Sequence, residues 1–210
     1  AYLAAALGSI RDQTVPPAEV IVVDDGSTDG SGELAAACGA RVVSQPPTGY
    51  ASAVNRGVSE ASGDVLAFLD ADDLWAPEAL ACRAARLVAP DQPDVVVGVT
   101  QNFASPDLGE DEAATIRIHL RPFRAEVPAA ALVRASTFAH VGPFDEGLRT
   151  GAAIDWISRA RLAGISFAHV DDVVLRRRIH AANLGRSMAA DRNADLLKIV
   201  RAHHARHRTG

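Results

Sequence analysis

Val65-Leu66-Ala67-Phe68-Leu69 is an apolar run of strand length that stops abruptly in Asp70-Ala71-Asp72-Asp73. A strand covered on both faces reads as continuous hydrophobics rather than as alternation. Open α/β sheets bind ligands beyond the carboxyl ends of such strands. Asp70 and Asp72 are two residues apart, so in extended chain they point the same way. Two like charges side by side repel unless a cation or hydrogen-bond donors sit between them. The run therefore predicts a buried strand whose end holds a divalent metal and, through it, an anionic substrate.

The rest of the chain predicts an α/β fold around that strand. The 210 residues are enough for one α/β core, and 48% hydrophobic with 22% charged residues is a globular balance. A net charge of -5 argues against a nucleic-acid partner. Cys38 and Cys82 have no metal-ligand spacing and read as reduced core thiols. No apolar run reaches membrane-spanning length and no signal peptide is visible. The expected location is a bacterial cytoplasm, free or peripheral to the inner membrane.

Periodicity predicts a helix over 2–13, a strand over 19–23, a helix over 31–38, a strand over 41–44, a helix over 50–61, the carboxylate strand, a helix over 77–88 and a strand over 94–99. This alternation implies a mainly parallel sheet. Beyond it the pattern is less regular: strand character over 115–120, helices over 134–141 and 154–163, strands over 166–170 and 173–179, and a polar helix over 188–207. The chain enters directly on a helix, so the strand that usually opens such a sheet is expected to be absent from it. The neighbours of a missing central strand would keep unpaired backbone groups.

VIVVDDGSTDG at 20–30, GYASAVNRG at 49–57, GDVLAFLDADDLW at 63–75 and Phe144-Asp145-Glu146 resemble, in order and spacing, the inverting family 2 glycosyltransferases of the GT-A fold. The resemblance covers residues 1 to about 187. It implies a GT-A domain, with about 1–100 as nucleotide half, about 101–187 as acceptor half and 188–210 as a tail. It implies a nucleotide-diphosphate-sugar donor, commonly UDP-linked, and Mn²⁺ or Mg²⁺, ions that suit hard oxygen ligands. Asp25, with Asp24 beside it, matches the carboxylate that accepts from the nucleobase. Asp24 and Ser27 also fit a helix cap. Asn55 and Arg56 match the helix bordering the donor phosphates. Asp70 matches the first DxD residue, facing ribose or metal, and Asp72 the second, a metal ligand. His180 matches a histidine that reaches the metal, and Arg176 and Arg178 match cations that meet the diphosphate. Strand alternation sets Arg177 on the opposite face from those two. Asp73 is expected at a helix start, or else behind the metal ligands.

The acceptor side departs from the pattern. Inversion needs a base to take the acceptor proton, and relatives carry it on a Glu-Asp pair where this chain has Ala152-Ala153. Asp155 is the nearest carboxylate and the expected base, with Asp145 and Glu146 as fallbacks; Trp156 is expected in the core. The acceptor is a glycan, lipid-linked sugar, peptide or small molecule, and a homodimer stays open. The alternative is a degenerate nucleotide-sugar binder of the same fold. A phosphotransferase of the haloacid dehalogenase type also uses Asp-x-Asp, but it needs a lysine at the phosphoryl group, and Lys198 is the only one, far downstream. His203, His204 and His207 lack a ligand partner at metal spacing and read as a solvated end.

Overall fold

The computed structural model describes residues 2–109, 120–180 and 195–201. The order is α1 (Leu3–Arg11), β1 (Ile21–Asp25), α2 (Ser31–Ala37), β2 (Arg41–Gln45), α3 (Tyr50–Glu60), β3 (Val65–Ala67), β4 (Leu74–Trp75), α4 (Ala79–Leu87), β5 (Val95–Ala104), β6 (Phe123–Arg124), a 3₁₀ turn (Pro128–Ala130), β7 (Ala131–Arg134), α5 (Ala135–Val141), α6 (Ala152–Leu162) and β8 (Phe167–Ile179). Residues 195–201 are helical. The expected strand over 115–120 lies outside the described residues except for Leu120. So do most of the expected helix over 188–207 and all three of its histidines.

β1 and β2 form a parallel pair, and the remaining strands form a second sheet ordered β3-β7-β5-β8-β4, with β6 on β5 beyond β7. The sheet is mixed, as expected, but parallel pairing is confined to β1–β2 and β5–β8. The reason is β7. Ala131-Leu132-Val133 is too short and too apolar to show a period, yet it inserts between β3 and β5 and runs antiparallel to both.

Among the described residues β1 and β3 each pair on one edge and not with one another. Each therefore leaves one sheet edge open among the described residues. The opening run differs from the strand buried on both faces that its sequence predicts. β3 is shorter than its apolar stretch, and only Leu66 is buried, whereas Val65 and Ala67 are exposed. Leu66 faces the core and its two strand neighbours do not, the alternation of a strand covered on one face.

The core sits on β5, where Val95, Val96 and Val97 are all buried, with α4 packed on β5 and β8. Phe138, Phe144 and Trp156 gather in the same core, with Trp156 stacked on Phe138 at 5.5 Å. β8 is one strand where the sequence predicts two. Its register against β5 shifts between Val97 and Thr100, and Asp171 and Asp172 fall in that irregularity. Gly98 is required there, because a Cβ would lie 2.4 Å from both methyls of Val174. Cys82 is half-buried and Cys38 exposed, both as free thiols, so Cys38 is not the core residue expected.

Candidate donor and metal site

β3 ends at Ala67, and the chain then folds back so that the Asp73 N–H donates to the Asp70 carbonyl at 3.1 Å. This turn gathers the side chains. Asp70, Asp72 and Asp73 each offer a carboxylate oxygen, all within 4.8 Å of one another. The far end of β8 lands on the same turn. The Arg178 N–H donates to Asp73 Oδ1 at 2.8 Å, and His180 Nε2 lies 2.9 Å from Asp72 Oδ2. Residues 108 positions apart thus meet, as the resemblance implies for Asp72 and His180.

Crowding raises the protonation midpoints. Asp70, though open to solvent, is surrounded by protein and faces the Asp72 charge; its carboxyl is pushed up to about 6. Burial pushes Asp73 up to about 7, against the pull of the Arg178 N–H. Three carboxylates this close favour protons or a cation between them. Asp73 is not at a helix start: it is buried, β4 follows it, and α4 begins only at Ala79. It is the site residue that sequence reasoning assigned elsewhere, and its only local signal was adjacency to the DxD pair.

The arginines divide differently from the expectation. Arg178 is buried, with its guanidinium 4.6 Å from the Tyr2 ring centre and 4.7 Å from that of Phe103, and its Nε donates to the Asp72 carbonyl at 2.9 Å. Arg176 also rests on Phe103, at 5.1 Å. The shared face expected for the two is present, but it is the face of Phe103. Arg178 stacks between two rings and holds the carboxylate turn by its backbone, which corrects its expected place at the diphosphate. Arg177 is exposed on the other face, and its charge draws the Asp70 and Asp73 carboxyls back down. Parity was legible in the sequence; which face looked at the turn was not.

Asp25 ends β1 and organises the loop after β2. Its Oδ1 accepts from Gln45 Nε2 at 2.8 Å and the Thr48 N–H at 2.9 Å, and its Oδ2 from the Gly49 N–H at 2.8 Å. Burial works to raise this carboxyl, but the donors outweigh it and hold it below its ordinary range. Oδ2 has one donor and keeps a lone pair for another. Asp24 Oδ1 accepts from the Ser27 N–H at 2.9 Å, a local turn bond; α2 starts from Gly30 with no side-chain cap, so neither Asp24 nor Ser27 caps it as expected. Gly26 has φ +81°, and a Cβ there would meet Pro47 Cδ at 2.8 Å, so glycine lets the β1 and β2 loops close on each other.

Asn55 does not face the carboxylates with a free amide. Its Nδ2 donates to the Phe144 carbonyl and to Glu146 Oε1, both at 2.9 Å, and its Oδ1 accepts from the Phe144 N–H at 2.8 Å. It clamps α3 to the 143–147 turn. Arg56 pairs with Glu60 one helical turn away at 2.8 Å, half exposed. Both replace the expected phosphate contact with a local one.

Asp155 is 2% exposed and accepts from Arg159 Nε at 2.8 Å. Arg159 in turn donates to the carbonyls of Val141 and Pro143. The pair fixes the loop before Phe144, and Trp156 Nε1 donates to the Gly142 carbonyl at 2.9 Å. Asp155 therefore sits in the packing beneath the 141–147 loop, while Asp145 and Glu146 are exposed on that loop.

Similarity to known proteins agrees with this architecture. The model of the family described as glycosyl transferase family 2 matches residues 1–128, and the chain belongs to that family. It is 37% identical over 123 residues to the uncharacterized glycosyltransferase alr2836 of Nostoc sp., spanning 54% of this chain and 37% of that protein. To glycosyltransferase AglE of Haloferax volcanii it is 29% identical over 183 residues, 80% of this chain and 60% of the relative. The chain thus spans well under two thirds of the length of these curated relatives. The fold matches that of TarS of S. aureus, solved in complex with UDP, with TM-score 0.72 over 98% of this chain and 61% of that one at 18% identity. It also matches glucosyl-3-phosphoglycerate synthase from Mycobacterium tuberculosis, with TM-score 0.64 over 95% of this chain and 74% of that one at 23% identity.

Proposed function

We propose that the chain binds a UDP-linked sugar with a divalent metal and transfers the sugar, with inversion, to an acceptor hydroxyl. The observation that carries this reading is the cluster of Asp70, Asp72 and Asp73, with His180 from a distant strand end against Asp72. Hard carboxylate oxygens with one imidazole form a donor set that fits Mn²⁺ or Mg²⁺. Solved complexes of the structural neighbours support it: TarS with UDP-GlcNAc, and the mycobacterial synthase with Mn²⁺, UDP and phosphoglyceric acid.

Asp70, Asp72 and His180 would hold the ion, with Asp73 behind them. When bound, the ion supplies Lewis-acid stabilisation of the departing diphosphate. The chain's own groups do the rest. Asp25 Oδ2 accepts from the nucleobase imide. Arg177, exposed beside Asp70, takes the diphosphate position first assigned to Arg176 and Arg178. The acceptor oxygen bonds the anomeric carbon as its bond to the phosphate oxygen breaks, and the electron pair leaves with UDP. Glu146, exposed and anchored by Asn55, receives the hydroxyl proton in place of the buried Asp155. Residues 101–187 bear most of the acceptor side, but the end of β8 belongs with the donor.

The test is a melting-temperature series with UDP, GDP and CDP, with and without Mn²⁺, followed by UDP release from UDP-sugars. A shift that needs both UDP and Mn²⁺ and grows with their concentration is expected. No shift with any nucleotide sinks the donor reading. The second reading, a binder without turnover, is favoured by Ala152-Ala153 at the α6 start and by the engaged Asp155. A full UDP–Mn²⁺ shift with no release, unchanged in Glu146→Gln, selects it.

A further inference from the structure

Tyr2, at the start of α1, reaches the end of β8. Its carbonyl accepts from the Ala5 and Ala6 N–H groups at 3.0 and 3.1 Å, which fixes its backbone to the first turn of the helix. α1 is in turn pinned to β4. The Ser9 hydroxyl oxygen accepts from the Trp75 N–H at 3.1 Å, and Gln13 Nε2 donates to the Ala76 carbonyl at 2.7 Å. The tyrosine therefore stands on a rigid element, tied to the strand that follows the carboxylate turn.

The Tyr2 ring packs against His180, 5.0 Å from centre to centre, and it is the same ring that carries the Arg178 guanidinium. Its hydroxyl donates to Asp107 Oδ2 and accepts from Ser105 Oγ at 3.3 Å. Ser105 and Asp107 belong to the loop after β5. The buried Ser105 donates its N–H to the Ile179 carbonyl at 2.9 Å. One side chain thus joins α1, the loop after β5 and the strand end that bears His180. That junction bears on the metal. An imidazole just past a strand end has other rotamers, in which Nε2 turns away from Asp72. A ligating histidine needs an outer partner that fixes its ring direction. The Tyr2 ring, packed on the imidazole and held at its own hydroxyl, supplies that constraint.

We propose that Tyr2 is a positioning residue of the metal site. Its ring holds the His180 imidazole toward Asp72, and the bond to Asp107 holds the ring. The inference deepens the donor reading and rests on it, because Tyr2 acts on the divalent cation only through His180.

The test is the apparent Mn²⁺ affinity of the whole chain at saturating UDP, measured by calorimetry. The variants are Tyr2→Leu, Tyr2→Phe, His180→Ala and Tyr2→Leu/His180→Ala. Tyr2→Leu should weaken Mn²⁺ binding roughly 10-fold or more, the usual cost of losing a group that orients a ligand. Tyr2→Phe keeps the ring and loses one hydrogen bond, so it should recover all but about 3-fold. The double variant should bind as His180→Ala does, since nothing is left for the ring to orient. A general loosening of the fold would instead add its own loss in that background. Should Tyr2→Leu not fold, Asp107→Ala replaces it: the residue is exposed, and its loss should match that of Tyr2→Phe, about 3-fold. Parental affinity in Tyr2→Leu overturns the inference, as do additive losses in the double variant or parental affinity in Asp107→Ala. A parent chain that shows no Mn²⁺ dependence, or His180→Ala at parental affinity, overturns the metal reading itself and the inference with it.

Discussion

The carboxylate edge and the edge formed by α6 and the 141–147 loop use charge in opposite ways. At the carboxylate edge, Asp70, Asp72 and Asp73 crowd together with one histidine and an exposed arginine nearby, and the turn that holds them is secured from behind by Arg178. Negative charge outnumbers positive there, with Asp70 open to solvent and Asp73 buried. At the α6 edge, Asp155 is matched by Arg159 and Asn55 has its amide bonded at both ends. Those polar groups are satisfied internally and set the shape of the 141–147 loop. The lesson is that one residue type forms a crowded cluster at one strand end and half of a buried ion pair at another, as the packing around it decides.

The comparison can be broken most directly at Asp72. Asp72→Asn should remove the Mn²⁺-dependent part of the UDP melting shift and cut transfer roughly 10²–10³-fold, the usual cost of one electrostatic group at a reacting centre. Retained metal dependence would dissolve the contrast. Next comes Asp155→Ala, which leaves Arg159 short of its buried partner. A loss of about 3 kcal/mol of stability in urea unfolding is expected, and UDP–Mn²⁺ binding should persist in the folded fraction. Unchanged stability with lost turnover would return Asp155 to the role of base.

Arg178→Met tests the support from behind. It removes two ring contacts and a charged hydrogen bond to a backbone carbonyl, worth together about 2–3 kcal/mol, and should weaken Mn²⁺ binding more than that of nucleotide alone. Arg178→Lys keeps the charge but not the planar stack, and should recover only part of it.

A smaller effect is set by pH. Asp70 and Asp73 have midpoints of about 6 and about 7 in the folded chain, raised from an ordinary 3.8. A raised carboxyl favours the folded state while protonated, so without metal the melting temperature should fall as pH rises from about 4 to about 7. Mn²⁺ competes with those protons, so it should flatten the curve at the upper end and bind progressively less below pH about 6. A metal-free curve rising over that range would contradict the crowding. Smallest of all, Arg56→Ala should change stability by less than about 0.5 kcal/mol, since the Glu60 pair is half exposed, and should leave UDP binding untouched.

Much of the donor half was legible because its signals are local. An apolar run ending in Asp70 and Asp72, a glycine turn after Asp25, and helices over 31–38 and 50–61 are all written in neighbouring residues, and the structure places them within a residue or two. β7 was not legible: four residues carry no period, and its place is chosen by the open flanks of β3 and β5. The split of β8 into two was a false reading for the same reason, since Asp171 and Asp172 look like a break until β5 continues past them.

What the sequence by itself determined is the chemistry available at each strand end: three carboxylates after β3, and a run of arginines in the last residues of β8 with a histidine just after it. Strand parity even separated Arg177 from its neighbours. Only the tertiary structure decided which face of that parity met the carboxylates, that Asp73 joined the cluster, and that Asp155 was spent on Arg159. The reason is range. Spacing of two or four residues fixes direction along one element, whereas these outcomes depend on the approach of β8 to a turn a hundred residues earlier, and that approach is set by packing across the sheet.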